Sequence, residues 1–128
     1  MKVYLAGSFL DQHSLREPAS RIWQLGHEVV STWLQEVARP EHMESERFKH
    51  KLGMKDIAEV SAADLIILDN RQSSGGKNVE WGIALGQFQR KLLWLVGEPS
   101  NVFHYLADRQ FPTWDEVYEA LDIQGRKV

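Results

Sequence analysis

The sequence predicts a single α/β domain, a parallel sheet with helices packed on both of its faces. Three observations carry that expectation. Short apolar runs alternate with stretches of helical periodicity along the chain, which is the pattern of repeated strand–helix units joined right-handedly. Leu65-Ile66-Ile67-Leu68 and Leu92-Leu93-Trp94-Leu95-Val96 are apolar throughout rather than at every second residue, as strands buried on both faces are. And 128 residues with 43% hydrophobic content supply one core without calling for a second.

The elements follow in order. Val3 to Ala6 is a short strand closing on Gly7-Ser8-Phe9, and Leu15, Ala19, Ile22, Trp23 and Leu25 recur at helical spacing until Gly26 stops them. Glu28 to Ser31 reads as a second, weaker strand. Thr32 to Met43 reads as a surface loop, with Pro40 opening a helix in which Phe48, Leu52, Asp56, Glu59 and Val60 keep the period up to Ser61. Leu65 to Leu68 is the third strand, Asn78 to Arg90 the third helix, and Leu92 to Val96 the fourth strand, ended by Gly97-Glu98-Pro99. An extended piece is expected near Asn101 to His104. Thr113, with Glu116 three residues on, makes a capping box for a last helix through Leu121. The domain is expected to occupy residues 1–123, with 124–128 a polar tail.

Composition excludes several classes of function. The net charge of −3, with Lys and Arg dispersed, offers no electrostatic footprint for a nucleic-acid polymer, so a small-molecule partner is expected. Cysteine is absent, and the five histidines show no ligand spacing, so neither a thiol nucleophile nor a metal site is expected. No cofactor is called for. The N-terminal run lacks the apolar length of a signal peptide and no segment suits a membrane span, which makes a cytoplasmic location, away from membranes, the expectation.

In a parallel sheet, ligands bind beyond the carboxyl ends of the strands, here Gly7-Ser8-Phe9, Asp69 to Asn78 and the segment after Val96. Gly75-Gly76 frees the backbone for a tight turn, and the amides that follow point at whatever binds there. Glu80 stands early in the next helix, where the positive end of the dipole favours a carboxylate. That suits a nucleophile, and it equally suits a helix-start acid; the pattern leaves both open. Gly82 and Gly86 are expected to let this helix sit close on the sheet, and Trp81, Leu85 and Phe88 to form an apolar stripe in the core or at a subunit contact. Lys77 is followed by no Ser or Thr, so the loop is not a Walker A loop. Asp69 is no receiver-type phosphoacceptor, because no acidic pair follows the first strand directly.

Taken together, Val3-Tyr4-Leu5-Ala6-Gly7-Ser8-Phe9, Asp56, Ala63-Asp64-Leu65-Ile66-Ile67-Leu68 and Gly75-Gly76-Lys77-Asn78-Val79-Glu80-Trp81-Gly82-Ile83-Ala84 resemble the nucleoside 2-deoxyribosyltransferase family and the related 2'-deoxynucleoside 5'-monophosphate N-hydrolases. The resemblance spans nearly the whole chain. It implies a flavodoxin-like (Rossmann-like) parallel sheet of about five strands and a homodimer or higher oligomer with shared sites. It also implies a glutamate nucleophile attacking the anomeric carbon of a deoxyribose. Glu80 matches that nucleophile, Tyr4 the phenol that orients it, and Asp56 the acid serving the leaving base. Gly7, Ser8, Phe9, Ser74, Gly76, Asn78 and Asn101 are the expected substrate-binding positions. Asn101 either reaches into a partner's pocket or closes its own, and Asp64 is read as structural.

Ser74 matches the hydrolase branch, where transferases place Asp; yet the arginine that hydrolases carry after the first turn is replaced here by Phe9, Leu10 and Asp11. Arg71 and Lys77 serve either as phosphate contacts or as solvated loop charges. The expected activity is therefore cleavage of a (deoxy)nucleoside or nucleotide N-glycosidic bond through Glu80, with transfer to another base. The alternative is hydrolysis of a 5'-monophosphate to base and sugar phosphate. More remote are an NAD-type glycohydrolase and a nucleotide-binding module without turnover.

Overall fold

The computed structural model describes residues 1–35, 45–71, 76–87 and 90–126. Five strands form one sheet: β1 (Lys2–Ala6), β2 (Glu28–Val29), β3 (Leu65–Asp69), β4 (Leu92–Val96) and β5 (Arg109–Phe111). Their order is β2-β1-β3-β4-β5, with every pairing parallel. The helices are α1 (Gln12–Gln24), α2 (Ser45–Ala62), α3 (Gly76–Leu85) and α4 (Trp114–Arg126). α1 packs with α4 on one face, and α2 with α3 on the other, so the flavodoxin-like expectation holds.

The core follows from the apolar strands. β3 and residues 3–6 of β1 are completely enclosed, as are Leu93 to Val96 of β4. Register places Tyr4 beside Ile66, and Ile66 beside Leu93, so these three share the face that carries α2 and α3. Chain order reverses direction between β1 and β3, the switch point at whose carboxyl ends sheets of this kind form a binding crevice. Gly7 sits at that switch point. A Cβ on it would meet Leu15 Cδ1 at 2.7 Å, so a side chain here would have to displace that buried methyl group.

Several expectations are corrected. Residues Thr32–Gln35 form a 3-10 turn rather than an open loop, with Trp33 and Leu34 buried. The turn is held by distant side chains: Gln12 Nε2 donates to the Trp33 carbonyl at 2.7 Å, and Arg16 Nε to the Leu34 carbonyl at 2.9 Å. β2 ends at Val29 instead of Ser31, and side chains complete the pairing of β1 that it leaves unfinished. Ser31 Oγ accepts from the Leu5 amide at 3.1 Å, and Trp33 Nε1 donates to the Leu5 carbonyl at 2.7 Å. The segment after Asn101 is a 3-10 turn, Val102–Leu106, instead of an extended piece, because the Asn101 side chain caps it by accepting from the Phe103 and His104 amides. α3 begins at Gly76 and ends at Leu85, and α4 runs on to Arg126. Pro40, Ser74, Gly75 and Phe88 lie outside the described residues.

The two helix glycines do not serve close packing on the sheet. Gly82 is exposed with open space where a Cβ would stand, and Gly86 is exposed too. Trp81 and Trp94 are both 1% exposed, so they belong to the core and supply no apolar surface to a partner. Asp64 is structural, as read: its Oδ2 accepts from the Lys2 amide at 2.9 Å.

Candidate active site

Tyr4, Asp56 and Glu80 come together from three elements. Tyr4 stands on β1 and is fully buried; Asp56 is on α2, which packs against both β1 and α3; Glu80 is in the second turn of α3. The Tyr4 hydroxyl and Glu80 Oε2 are both enclosed, and neither completes a hydrogen bond among the described residues. A buried phenol beside a buried carboxyl oxygen, each with bonding capacity left over, is a site with room for a ligand's polar atoms.

The electrostatics differ from what the helix dipole alone suggests. Burial pushes the Glu80 carboxyl up from 4.5 to about 8; the charges of Asp56 and Glu59 act in the same direction, and the neighbouring Tyr4 hydroxyl opposes them. Burial, reinforced by the Glu80 charge, also pushes the Tyr4 phenol well above its ordinary value, so it remains a donor. A perturbed carboxyl facing a phenol and a second acid is an arrangement for moving a proton or for attack by an oxygen.

No protein-family model matches the chain, and no curated protein sequence does. Solved structures do. A CMP N-glycosidase, BcmB, from Clostridium botulinum is 17% identical with a TM-score of 0.61, covering 96% of this chain and 99% of that one. A 2-deoxyribosyltransferase from Bacillus psychrosaccharolyticus is 20% identical with a TM-score of 0.65, covering 94% and 96%. A conserved protein from Enterococcus faecalis V583 is 13% identical with a TM-score of 0.75, covering 97% and 98%. The shared property is the fold. It extends over nearly the full length of each chain, with the same single α/β domain.

The expected binding positions divide into two groups. Gly7 and Ser8 form the turn after β1, where Ser8 is buried, its Oγ accepting from the Leu10 amide at 3.3 Å, and Phe9 opens a short 3-10 turn. Asn78 and Asn101 instead meet on the other side of α3 from Glu80, as helical geometry requires of positions two apart. There His104, 1% exposed, takes the Ser100 amide on Nδ1 at 3.0 Å, which leaves Nε2 as the donor to Asn78 Oδ1 at 2.8 Å. Asn101 Nδ2 lies 3.4 Å from the same Asn78 oxygen. Asn78 and Asn101 border a cleft of about 660 Å³ whose walls include Val79, Trp81, Gly82, Leu85 and Phe103. Gly76 is the first residue of α3.

Arg71 after β3 and Lys77 in the first turn of α3 are both engaged. Arg71 grips Asp69, with Nε 2.8 Å from Oδ1 and the backbone amide 3.1 Å from the same oxygen. Burial raises Asp69, but the bonds from Arg71 and from Trp114 Nε1 prevail and hold it below its ordinary value. Lys77 is buried rather than solvated, its Nζ 3.4 Å from the Asp69 carbonyl, and burial lowers its affinity for its proton. Among the described residues no group of three or more His, Asp and Glu could hold a metal ion, and no helix is long and apolar enough to cross a membrane.

Sequence reasoning passed over Glu59 and Thr32. The signal for Glu59 was available: it stands three residues after Asp56, on the same face of one helix.

Proposed function

We propose that this protein cleaves the N-glycosidic bond of a (deoxy)nucleoside or nucleotide, with Glu80 as the attacking group and the glycosyl unit passed to another base. The observation that carries the reading is the enclosed Glu80 carboxyl, set against the Tyr4 phenol and the acids of α2 at the switch point of the sheet. Its support from likeness is the fold shared with a CMP N-glycosidase and a 2-deoxyribosyltransferase.

In this reading an ionised Glu80 oxygen forms a bond to the anomeric carbon while the carbon–nitrogen bond breaks and its electron pair leaves with the base. The base leaves more easily once protonated, and Asp56 supplies or relays that proton. The transition state carries positive charge on the sugar. The ionised Glu80 stabilises it, joined by Asp56 once that acid has given up its proton to the base. An incoming base then attacks the same carbon, and Glu80 leaves as a carboxylate. Once Glu80 is ionised, the Tyr4 hydroxyl, which keeps its proton, donates to the oxygen that does not attack.

Hydrolysis of a 5'-monophosphate is the second reading, favoured by the turn of Gly7 and buried Ser8 at the switch point. We further infer that the protein is a homo-oligomer. Val79, Phe103, Val102 and Tyr105 are 60–75% exposed beside the cleft of Asn78 and Asn101, an apolar margin that a second copy would cover.

The test is to incubate the protein with deoxynucleosides and monophosphates, with and without a second base, and to separate the products. Exchanged nucleoside supports transfer; free base formed without acceptor supports hydrolysis. No product from any substrate, or unchanged turnover by a folded Glu80→Ala protein, rejects the reading; loss of on the order of 10³ or more in that variant is expected.

A further inference from the structure

Helix α2 carries two acids three residues apart on one face, and the reaction proposed above gives a direct task to Asp56 alone. Glu59 lies one helical turn on, and its charge reaches both Glu80 and Tyr4. Its carboxylate is also fixed in place. One oxygen accepts from the Thr32 amide at 3.1 Å and the other from the Thr32 hydroxyl at 2.6 Å. Thr32 opens the 3-10 turn that Gln12 and Arg16 tie to α1 and that Trp33 ties to Leu5, the neighbour of Tyr4. With Glu59 added, this turn is pinned to β1, α1 and α2 at once.

We propose that Glu59 is a positioning residue for the Glu80 site: it clamps the Thr32 turn to α2 and thereby holds a fixed negative charge facing the Glu80 carboxyl. The groups facing Glu80 are then Tyr4 from β1 and Asp56 and Glu59 from α2. Lys77, on α3 itself, is turned to the Asp69 carbonyl, and His104 from the following turn is bonded to Asn78 on the far side of the helix. Glu59 acts in one direction only, keeping the proton on Glu80 to higher pH in the empty site. When a cationic sugar stands between the acids, the same charge favours it.

The role rests on reading Glu80 as the reacting acid, but its test needs no turnover. Protein labelled with 13C at glutamate carboxyls is titrated by NMR, and Glu80 is assigned by the resonance that Glu80→Gln removes. In Glu59→Gln, which keeps an acceptor and a donor for Thr32 and loses only the charge, the Glu80 midpoint is expected to fall by about half a pH unit. In Glu59→Asp, which keeps the charge, it is expected to stay near the wild-type value. An unmoved midpoint in Glu59→Gln overturns the proposal, and so does an equal fall in both variants, which would trace the effect to a loosened turn. A protein that cleaves no nucleoside leaves this titration intact, so the two readings fail separately.

Discussion

Replacing Glu80 by Gln is expected to stabilise the fold increasingly as pH rises. In the unfolded chain this carboxyl ionises near 4.5, and in the folded protein it keeps its proton to about 8. Below 4.5 both states are protonated and the group costs nothing. Between 4.5 and 8 the unfolded state binds fewer protons than the folded one, so stability drains away with rising pH; above 8 the loss is complete. At about 1.36 kcal/mol per unit the whole shift is worth about 5 kcal/mol as a ceiling, and water reaching the partly exposed side chain brings the expected figure to about 2–3 kcal/mol. Gln fills the same space and cannot ionise, so it escapes this cost. Urea denaturation of both proteins at a series of pH values between about 4 and 9 isolates the term, since every other titrating group is common to the pair. The difference in stability should grow steadily through neutrality and level off near pH 9. A difference that stays constant over the range would refute the argument, because it would mean Glu80 titrates alike in both states and is not enclosed. In turnover the same midpoint should appear as a rise of kcat/KM through about pH 8, as the attacking group loses its proton.

Three further outcomes are expected. Asp56→Asn should slow cleavage of ordinary bases by about 10²–10³ and slow an activated base, which leaves unaided, far less; initial rates on the two substrates compare them, and equal losses would remove Asp56 from the leaving-group side. A deoxynucleoside 5'-monophosphate should bind Glu80→Ala protein at least about tenfold more tightly than its nucleoside in calorimetry if the Ser8 and Ser74 hydroxyls both donate to the phosphate, since hydrogen bonds to a charged group are worth about 1.5–3 kcal/mol each; equal affinities would reject that role for them. Mixing inactive Glu80→Ala with inactive Asn101→Ala subunits should restore activity if Asn101 completes a partner's site, and hybrids without activity would make each subunit self-sufficient.

What the sequence made legible was whatever local pattern encodes. β1, β3 and β4 are continuous apolar runs with both faces buried, so composition alone marks them. Glu80 stands out because a glycine turn and a helix follow a buried strand. The Thr32–Gln35 turn was hidden because nothing local builds it: its partners Gln12, Arg16 and Glu59 lie far away in the chain. β5 was missed for want of length, three residues of which Phe111 alone is buried. Gly82 and Gly86 carry the spacing of close helix packing, yet they face a surface cleft, since spacing fixes which positions share a side and not what lies opposite. The burial that raises Glu80 was hidden for a related reason. Desolvation depends on which elements close over a residue, and that is decided by tertiary packing.

The way β1 is finished bears on how the protein behaves in concentrated solution. Beyond Val29 the strand that carries Tyr4 would present a bare margin, with the Leu5 amide and carbonyl open to any extended chain that came alongside. Ser31 and Trp33 occupy both groups with side-chain atoms. At Leu5 a margin blunted in this way offers no template for a foreign strand, so β1 cannot be extended sideways past the end of β2.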